Sequence, residues 1–159
     1  MNEGGKSFMN VGYLMGVALE NDSRNVLSDD LDGDGRVDLL VVALDRRGAD
    51  QAHLLRIFVN RCPGGNHWIG VRLQERGPGY SPVGAKVSIR TAGGTRVARI
   101  VTGDSFRSQH ANTVHFGLGE AADVEWIEVR WPNGVVKRIP RPAVDRYHAV
   151  DPDPEKKPG

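Results

Sequence analysis

Short apolar runs alternate along this chain with glycines, prolines and charged residues, a pattern typical of many short strands joined by tight turns. The run at 39–44 is almost wholly apolar and has charges at both ends, which predicts a strand buried on both faces. A second strand is predicted at 54–60, and the polar segment 45–50 indicates a turn that would pair the two strands antiparallel. Together they have the profile of one blade of a β-propeller.

The linker, residues 61–66, divides the chain in two, because its proline and two glycines interrupt any strand. About seven strands are predicted after it, a number typical of a β-sandwich or a small barrel. They are expected at 68–73, 85–90, 97–101, 114–116, 125–131, 135–139 and 147–150. Ile127, Val129 and Trp131 alternate along one of these strands and should therefore face the core.

The two ends of the chain carry weaker signals. Residues 1–25 have no clear period, and 20–23 have the composition of a turn. Residues 151–159 are rich in proline and charge, so we expect a disordered tail there. The sequence therefore predicts an all-β chain, with a propeller-blade segment at 1–62 and a β-sandwich-like domain at 66–150.

Composition narrows the range of partners. The chain has 21 basic and 20 acidic residues, a net charge of +1, so charge gives no reason to expect nucleic-acid binding. No apolar run approaches the roughly 20 residues that cross a bilayer, and we expect no transmembrane segment. Cys62 is the only cysteine, which excludes an internal disulfide and a cysteine-based metal site within one chain.

The acidic loop, residues 30–38, carries the strongest chemical signal in the sequence. Asp29 precedes it, and so dense a cluster of aspartates repels itself unless a cation neutralises the charge. Asp30, Asp32 and Asp34 alternate, so three carboxylates can point at one ion, as they do in loops that bind Ca²⁺. Asp29 is expected to be solvated rather than coordinating. A metal-free acidic turn and a Mg²⁺ site are the weaker alternatives.

The remaining positions of the acidic loop follow the same pattern. Gly35 stands where a calcium loop turns sharply and a Cβ would obstruct the chain. The backbone carbonyl of Arg36 would supply the next ligand, and Asp38 would close the site. Val41 occupies the position at which an EF-hand has its bidentate glutamate, which excludes the helical hand. The predicted metal ligands are Asp30, Asp32, Asp34, Arg36 and Asp38.

Two family resemblances extend these predictions. Residues 30–39 resemble the calcium loop of the FG-GAP/VCBS repeat, and 1–8 resemble the Asn-x-Gly-x-Gly-x-Phe stretch that precedes it, which implies a β-propeller blade. The second unit resembles the ASPIC/UnbV domain, which in its families nearly always follows such a propeller in exported proteins. The motifs that carry the second resemblance are 66–73, 84–85, 108–110, 114–119 and 129–134.

Catalysis has few candidate residues. The histidines lack the spacing of a zinc site. Ser105 or Ser108 with His110 and Asp104 would give a nucleophile, a base and an orienting acid, but the Gly-x-Ser-x-Gly turn of a hydrolase is missing. We therefore expect structural or surface roles for most of these side chains and assign no catalytic residue.

Three residues are candidates for ligand contacts in the second unit. Gln109 and His110 lie in a loop within a family motif, where binding residues are often found. Trp126 is expected on the face opposite Trp131, where an aromatic ring could contact a ligand such as a sugar. Core packing is expected for Trp131.

The function expected from the sequence is that of a non-catalytic, calcium-binding scaffold or recognition module for a protein or a glycan. It would be secreted, periplasmic or on the cell surface, where calcium is abundant enough to occupy a weak site. One alternative is an enzyme or accessory protein in enediyne-like natural-product or carbohydrate metabolism. Another is a structural subunit of a larger exported assembly. A propeller needs at least four blades to close, so 1–62 would pair with another subunit or with the remaining blades of a longer chain.

Overall fold

The computed structural model describes residues 1–46, 52–75 and 81–152, which form ten strands and no helix. The strands are β1 (Asp22–Asp29), β2 (Asp38–Asp45), β3 (Ala52–Phe58), β4 (His67–Leu73), β5 (Lys86–Thr91), β6 (Gly94–Arg99), β7 (Thr113–Gly119), β8 (Trp126–Arg130), β9 (Val136–Pro140) and β10 (Tyr147–Val150). They form three sheets, none of which closes into a barrel. The all-β prediction is confirmed.

The first sheet is antiparallel, in the order β1-β2-β3. The acidic loop connects β1 to β2 as the turn of a hairpin, and Asp29 pairs with Asp38 at its base. The strands predicted at 39–44 and 54–60 are present as β2 and β3. β1 was not predicted, and it begins inside the segment 20–23 that has the composition of a turn. Residues 47–51, most of the turn predicted at 45–50, lie outside the described residues.

The predicted burial of β2 on both faces is wrong in this structure. Among its residues only Asp38 and Ala43 are buried, and the others are half-buried. Neighbouring β3 exposes 58% of Leu55 and 53% of Ile57. The reason is that no second sheet packs over this one in the described part of the chain.

The second unit consists of two sheets that share one core. The smaller sheet has the order β10-β4-β7, with β10 parallel to β4, and the larger one has the antiparallel order β6-β5-β8-β9. Both sheets contribute buried side chains to the core, among them Ile69, Val71, Phe116, Val87, Ile89 and Ile127. Each such side chain stabilises the fold by about 1.5–3 kcal/mol relative to its exposed state. The described residues after the linker contain seven strands, in agreement with the sequence.

Details of the second unit also follow the sequence. Ile127 and Val129 are fully buried, and Trp131 is 2% exposed, which confirms the predicted core face. The turn at 132–134 is closed by a hydrogen bond of 3.0 Å from the Gly134 N–H to the Trp131 carbonyl, and Gly134 has a φ of 87°. Pro152 is still buried against the domain, and the rest of the predicted tail, 153–159, lies outside the described residues.

Candidate metal centre and its contacts with the second unit

Three carboxylates of the acidic loop converge. One oxygen each of Asp30, Asp32 and Asp38 lies within 4.8 Å of the other two. Calcium holds oxygen ligands at roughly 2.3–2.6 Å, so oxygens on opposite sides of one ion are separated by about twice that distance. Asp30 is 6% exposed and Asp38 is 1% exposed. The three oxygens are therefore close enough to one another to ligate a single hard cation.

Backbone N–H groups fix the two buried carboxylates. Asp30 Oδ1 accepts a hydrogen bond of 2.8 Å from Gly33, and Asp30 Oδ2 accepts one of 2.9 Å from Gly35. Asp38 Oδ1 accepts a hydrogen bond of 2.7 Å from the Asn60 N–H, which lies beyond the end of β3. Because a carboxylate has about four lone-pair positions, each group keeps acceptor capacity for a further partner.

Asp34 stands apart from this group. Its Oδ1 accepts a hydrogen bond of 2.9 Å from the Arg36 N–H, and its Oδ2 is paired with the Arg36 guanidinium. Arg61 lies 3.6 Å from the same oxygen and 3.2 Å from Asp32. The hydrogen bonds from Arg36 and the positive charges of both arginines lower the pKa of the Asp34 carboxyl. Ligation by Asp34 stays a prediction, and an ion would compete there with the guanidinium groups of Arg36 and Arg61.

The remaining predicted ligand is a backbone carbonyl. The Arg36 carbonyl oxygen accepts no hydrogen bond from the residues that the structure describes. A calcium ligand needs such a free lone pair. The Arg36 side chain is used separately, because its Nε donates a hydrogen bond of 3.0 Å to the Asn60 carbonyl.

The aromatic trio, Trp68, His115 and Tyr147, packs against the acidic loop from the second unit. The Tyr147 hydroxyl donates a hydrogen bond of 3.0 Å to Asp30 Oδ2, and His115 Nε2 donates one of 3.0 Å to the Gly35 carbonyl. The Trp68 indole lies so close to Gly35 that a Cβ there would be 2.0 Å from its Nε1. Glycine is thus required at this position by the neighbouring ring as well as by a φ of 85°.

The three rings of the trio also contact one another. The Trp68 and His115 rings are stacked, with centroids 5.1 Å apart, and Tyr147 is tilted against Trp68 at 4.8 Å. They come from β4, β7 and β10, and Gly70 pairs with both His115 and Tyr147 in the sheet. A Cβ at Gly70 would lie 2.1 Å from the Tyr147 ring, so this glycine makes room for the trio.

The environment of Tyr147 makes its hydroxyl a persistent donor. Burial, the hydrogen bond to Asp30 and the negative charges of Asp30 and Asp29 raise its pKa well above the ordinary value. The Arg72 guanidinium lies 3.9 Å from the ring centroid on Tyr147 and opposes the shift only in part. The sequence does not indicate this contact, because its pattern places His115 and Tyr147 only within predicted strands.

His110 lines a cavity of about 260 Å³ between the acidic loop and the second unit. Asp29, Asp30 and Arg99 line the same cavity. His110 Nε2 lies 2.6 Å from Asp104 Oδ1, and this hydrogen bond lowers the pKa of the Asp104 carboxyl. The other predicted contact in that loop, Gln109, is exposed and is not part of this cavity.

The serines of the same loop close a turn. Ser108 Oγ donates a hydrogen bond of 2.8 Å to the Ser105 carbonyl and accepts one of 3.1 Å from the Ser105 N–H. Ser105 Oγ accepts a hydrogen bond of 3.2 Å from the Val26 N–H of β1. Neither hydroxyl is bonded to His110 within the described ranges. These two serines are therefore not activated as nucleophiles by His110.

Trp126 has a cation against its ring. The Arg138 guanidinium lies 4.2 Å from the ring centroid, and Trp126 is half-buried on β8. It lines neither the cavity beside His110 nor the cavity that Asp34 and His67 line. The prediction that Trp126 contacts a ligand is therefore not supported by either of these cavities.

Comparison with known protein families identifies the family of the second unit. The family model of ASPIC and UnbV proteins matches residues 77–157, just over half of the chain. The chain belongs to the ASPIC/UnbV family. His115 and Tyr147 lie inside the matched ASPIC/UnbV region, whereas Trp68 and the acidic loop precede it. The FG-GAP/VCBS resemblance of the loop thus stays a prediction.

Two further findings bear on the ASPIC/UnbV chain. No curated protein matches it. Within 1–46, 52–75 and 81–152 no helix has the length and apolar character needed to cross a membrane.

Proposed function

We propose that this ASPIC/UnbV protein is a calcium-binding recognition module that works outside the cytoplasm and performs no catalysis. The observation that carries the proposal is the convergence of Asp30, Asp32 and Asp38 within 4.8 Å. Two of these carboxylates are buried, and burying charge of one sign costs free energy unless a cation compensates it. The free carbonyl of Arg36 would add a fourth oxygen.

Calcium fits this donor set better than the common alternatives. The ligands are carboxylate and carbonyl oxygens, which hard cations prefer, and nitrogen and sulfur donors are missing from the cluster. The His115 imidazole contacts the loop, and its Nε2 is already engaged by the Gly35 carbonyl. Magnesium prefers a strict octahedron with retained waters, for which several converging carboxylates are unnecessary.

The proposed role of the ion is to order the contact between the two units. Asp30 would hold the ion while its Oδ2 accepts the Tyr147 hydroxyl, and Gly35 would stay fixed by His115 and Trp68. A loop immobilised by calcium therefore also immobilises the face of the ASPIC/UnbV domain that carries the trio. An ion that binds only the folded state stabilises it by RT ln(1 + [Ca]/Kd).

Thermal unfolding with and without calcium tests the proposal. At ten times Kd the stabilisation is about 1.4 kcal/mol, which raises the melting temperature of a chain of this size by about 3–6 °C. Asp32→Asn removes one ligand charge and should abolish the shift. Asp29→Asn is the matched control, because it removes the same charge from the preceding residue that we expect to stay outside the site, and it should retain the shift.

Equal melting temperatures in calcium and in chelator would contradict the proposal. So would a calcium shift that survives in Asp32→Asn, because the stabilising ion would then be bound elsewhere.

A second candidate function, a subunit of a larger assembly, is favoured by the uncovered first sheet. β2 is half-buried along most of its length, and Leu55 and Ile57 of β3 are exposed. Apolar sheet surface of this kind is normally covered by further protein. Residues 1–62 would then pack against another subunit or further propeller blades. Leu55→Lys with Ile57→Lys should reduce binding of a dye specific for apolar surface, and unchanged dye binding would count against this role.

A further inference from the structure

The linker cavity, on the second flank of the acidic loop, has a volume of about 470 Å³ and is lined by both units. That volume is large enough for a small organic ligand, since most ligand pockets measure roughly 300–1,000 Å³. The side chains that matter for its chemistry are Asp34, Arg36, Asn66, His67, Trp68 and Asp145.

Of the three tryptophans, Trp68 is the one that lines the linker cavity. Trp131 is in the core, and Trp126 lies under the Arg138 guanidinium. The Trp68 ring is held by the stacked His115 and the tilted Tyr147, so binding at its surface would freeze little additional side-chain motion. A rigid aromatic wall with a polar edge suits a ligand that has both C–H and hydroxyl groups.

Two polar side chains are placed to bind hydroxyl groups beside this ring. The Asn66 amide has no hydrogen-bond partner among the described residues, and it offers both donors and an acceptor. His67 Nδ1 lies 2.7 Å from Asp145 Oδ2, while Asp145 Oδ1 accepts a hydrogen bond of 3.1 Å from the Trp68 N–H. Asp145 thereby orients the imidazole and leaves its Nε2 for another partner.

The acidic side chains of the cavity already have polar partners. Asp34 is paired with Arg36, and Asp145 is hydrogen-bonded to His67. An acidic or basic ligand would have to compete with these pairs, whereas a neutral ligand would not. We propose that the linker cavity binds a neutral sugar ring of a glycan, with Trp68 as the apolar wall and Asn66 and His67 as the hydroxyl-binding groups.

This inference rests on the recognition role proposed above and names its ligand class. The probes are methyl glycosides of glucose, galactose, mannose, xylose and N-acetylglucosamine, their disaccharides, and as acidic probes glucuronate and sialic acid. Binding is followed by tryptophan fluorescence and by ligand-observed nuclear magnetic resonance, in calcium and in chelator. We expect saturable binding of at least one neutral probe and none of the acidic ones.

Three variants test whether the sugar binds in the linker cavity or at another surface of the protein. Trp68→Ala should weaken the bound neutral sugar about tenfold, the size expected for loss of an aromatic contact. Asn66→Ala should weaken it by about three- to tenfold, and because Asn66 is exposed and unbonded within the described residues this variant should fold normally. Trp126→Ala, the matched control, should bind as the wild type does.

The outcomes are distinct from those of the calcium test. If calcium stabilises the chain and no neutral probe binds, the sugar inference fails while the calcium site stands. If a neutral probe binds with or without a calcium shift and loses affinity in Asn66→Ala, the inference holds. Binding of acidic probes only, or neutral binding that Trp68→Ala and Asn66→Ala leave unchanged, would overturn it.

Discussion

Replacing Gly35 with alanine should disrupt the contact between the acidic loop and the aromatic trio. The added methyl group would lie 2.0 Å from Trp68 Nε1 and 2.3 Å from its Cε2. The indole cannot move away freely, because it is stacked on His115 and packed against Tyr147. The variant keeps the Gly35 N–H and carbonyl, so its hydrogen-bonding groups are unchanged.

The expected loss has two parts. A φ of 85° is unfavourable for alanine and costs about 1–2 kcal/mol. Forcing a methyl group into a packed contact adds about 1–3 kcal/mol. Gly35→Ala should therefore lower the free energy of unfolding by about 2–5 kcal/mol, the sum of both parts.

Gly33→Ala is the matched control. Gly33 lies in the same loop with a φ of 77°, and a Cβ there would meet no atom within 4 Å. Gly33→Ala should lower the free energy of unfolding only by the backbone cost of a positive φ. The difference between the two variants therefore measures the steric clash with Trp68, at about 1–3 kcal/mol. Urea unfolding followed by circular dichroism, in chelator throughout, gives both values.

The same two glycine variants, made in the Trp68→Ala protein, complete a double-mutant cycle between Gly35 and Trp68. There the methyl group has no indole to displace, so Gly35→Ala and Gly33→Ala should cost about the same. Equal losses in the wild-type background would refute the close packing of the trio on the loop.

Two further predictions concern the trio and the core. The tyrosinate absorbance of Tyr147 should appear well above pH 10 and be missing in Tyr147→Phe. Because its folded pKa is raised, its stabilisation is complete below pH 10 and is lost as pH rises toward the folded value, so Tyr147→Phe should flatten the alkaline loss of stability. In the core, Ile127→Ala should lower the free energy of unfolding by about 2–5 kcal/mol, whereas Val97→Ala at a half-exposed edge position should change it by less than about 0.5 kcal/mol. Equal losses would contradict the assigned core.

Local patterns in the sequence predicted most of the second unit. The alternation of Ile127, Val129 and Trp131 identified a core face because side chains of a strand alternate with a period of two. All seven strands predicted after the linker are present in the described residues. The acidic loop was singled out because metal ligands within one loop have a fixed spacing, and its role as a metal site stays a prediction.

Contacts between distant segments were not predictable in the same way. The trio combines residues from three strands that are adjacent only after the sheet has formed. The pairing of Asp34 with Arg61 depends on the path of the linker, which composition does not specify. β1 was missed because its residues are mostly polar and exposed, so no apolar period marks it.

Calorimetric titration of the chelator-treated protein with calcium tests the central claim most directly. We predict saturable binding of one ion per chain in the wild type, no binding to Asp32→Asn and unchanged binding to Asp29→Asn. The absence of saturable heat in the wild type, or the same binding curve for Asp32→Asn, would contradict a calcium site in the acidic loop.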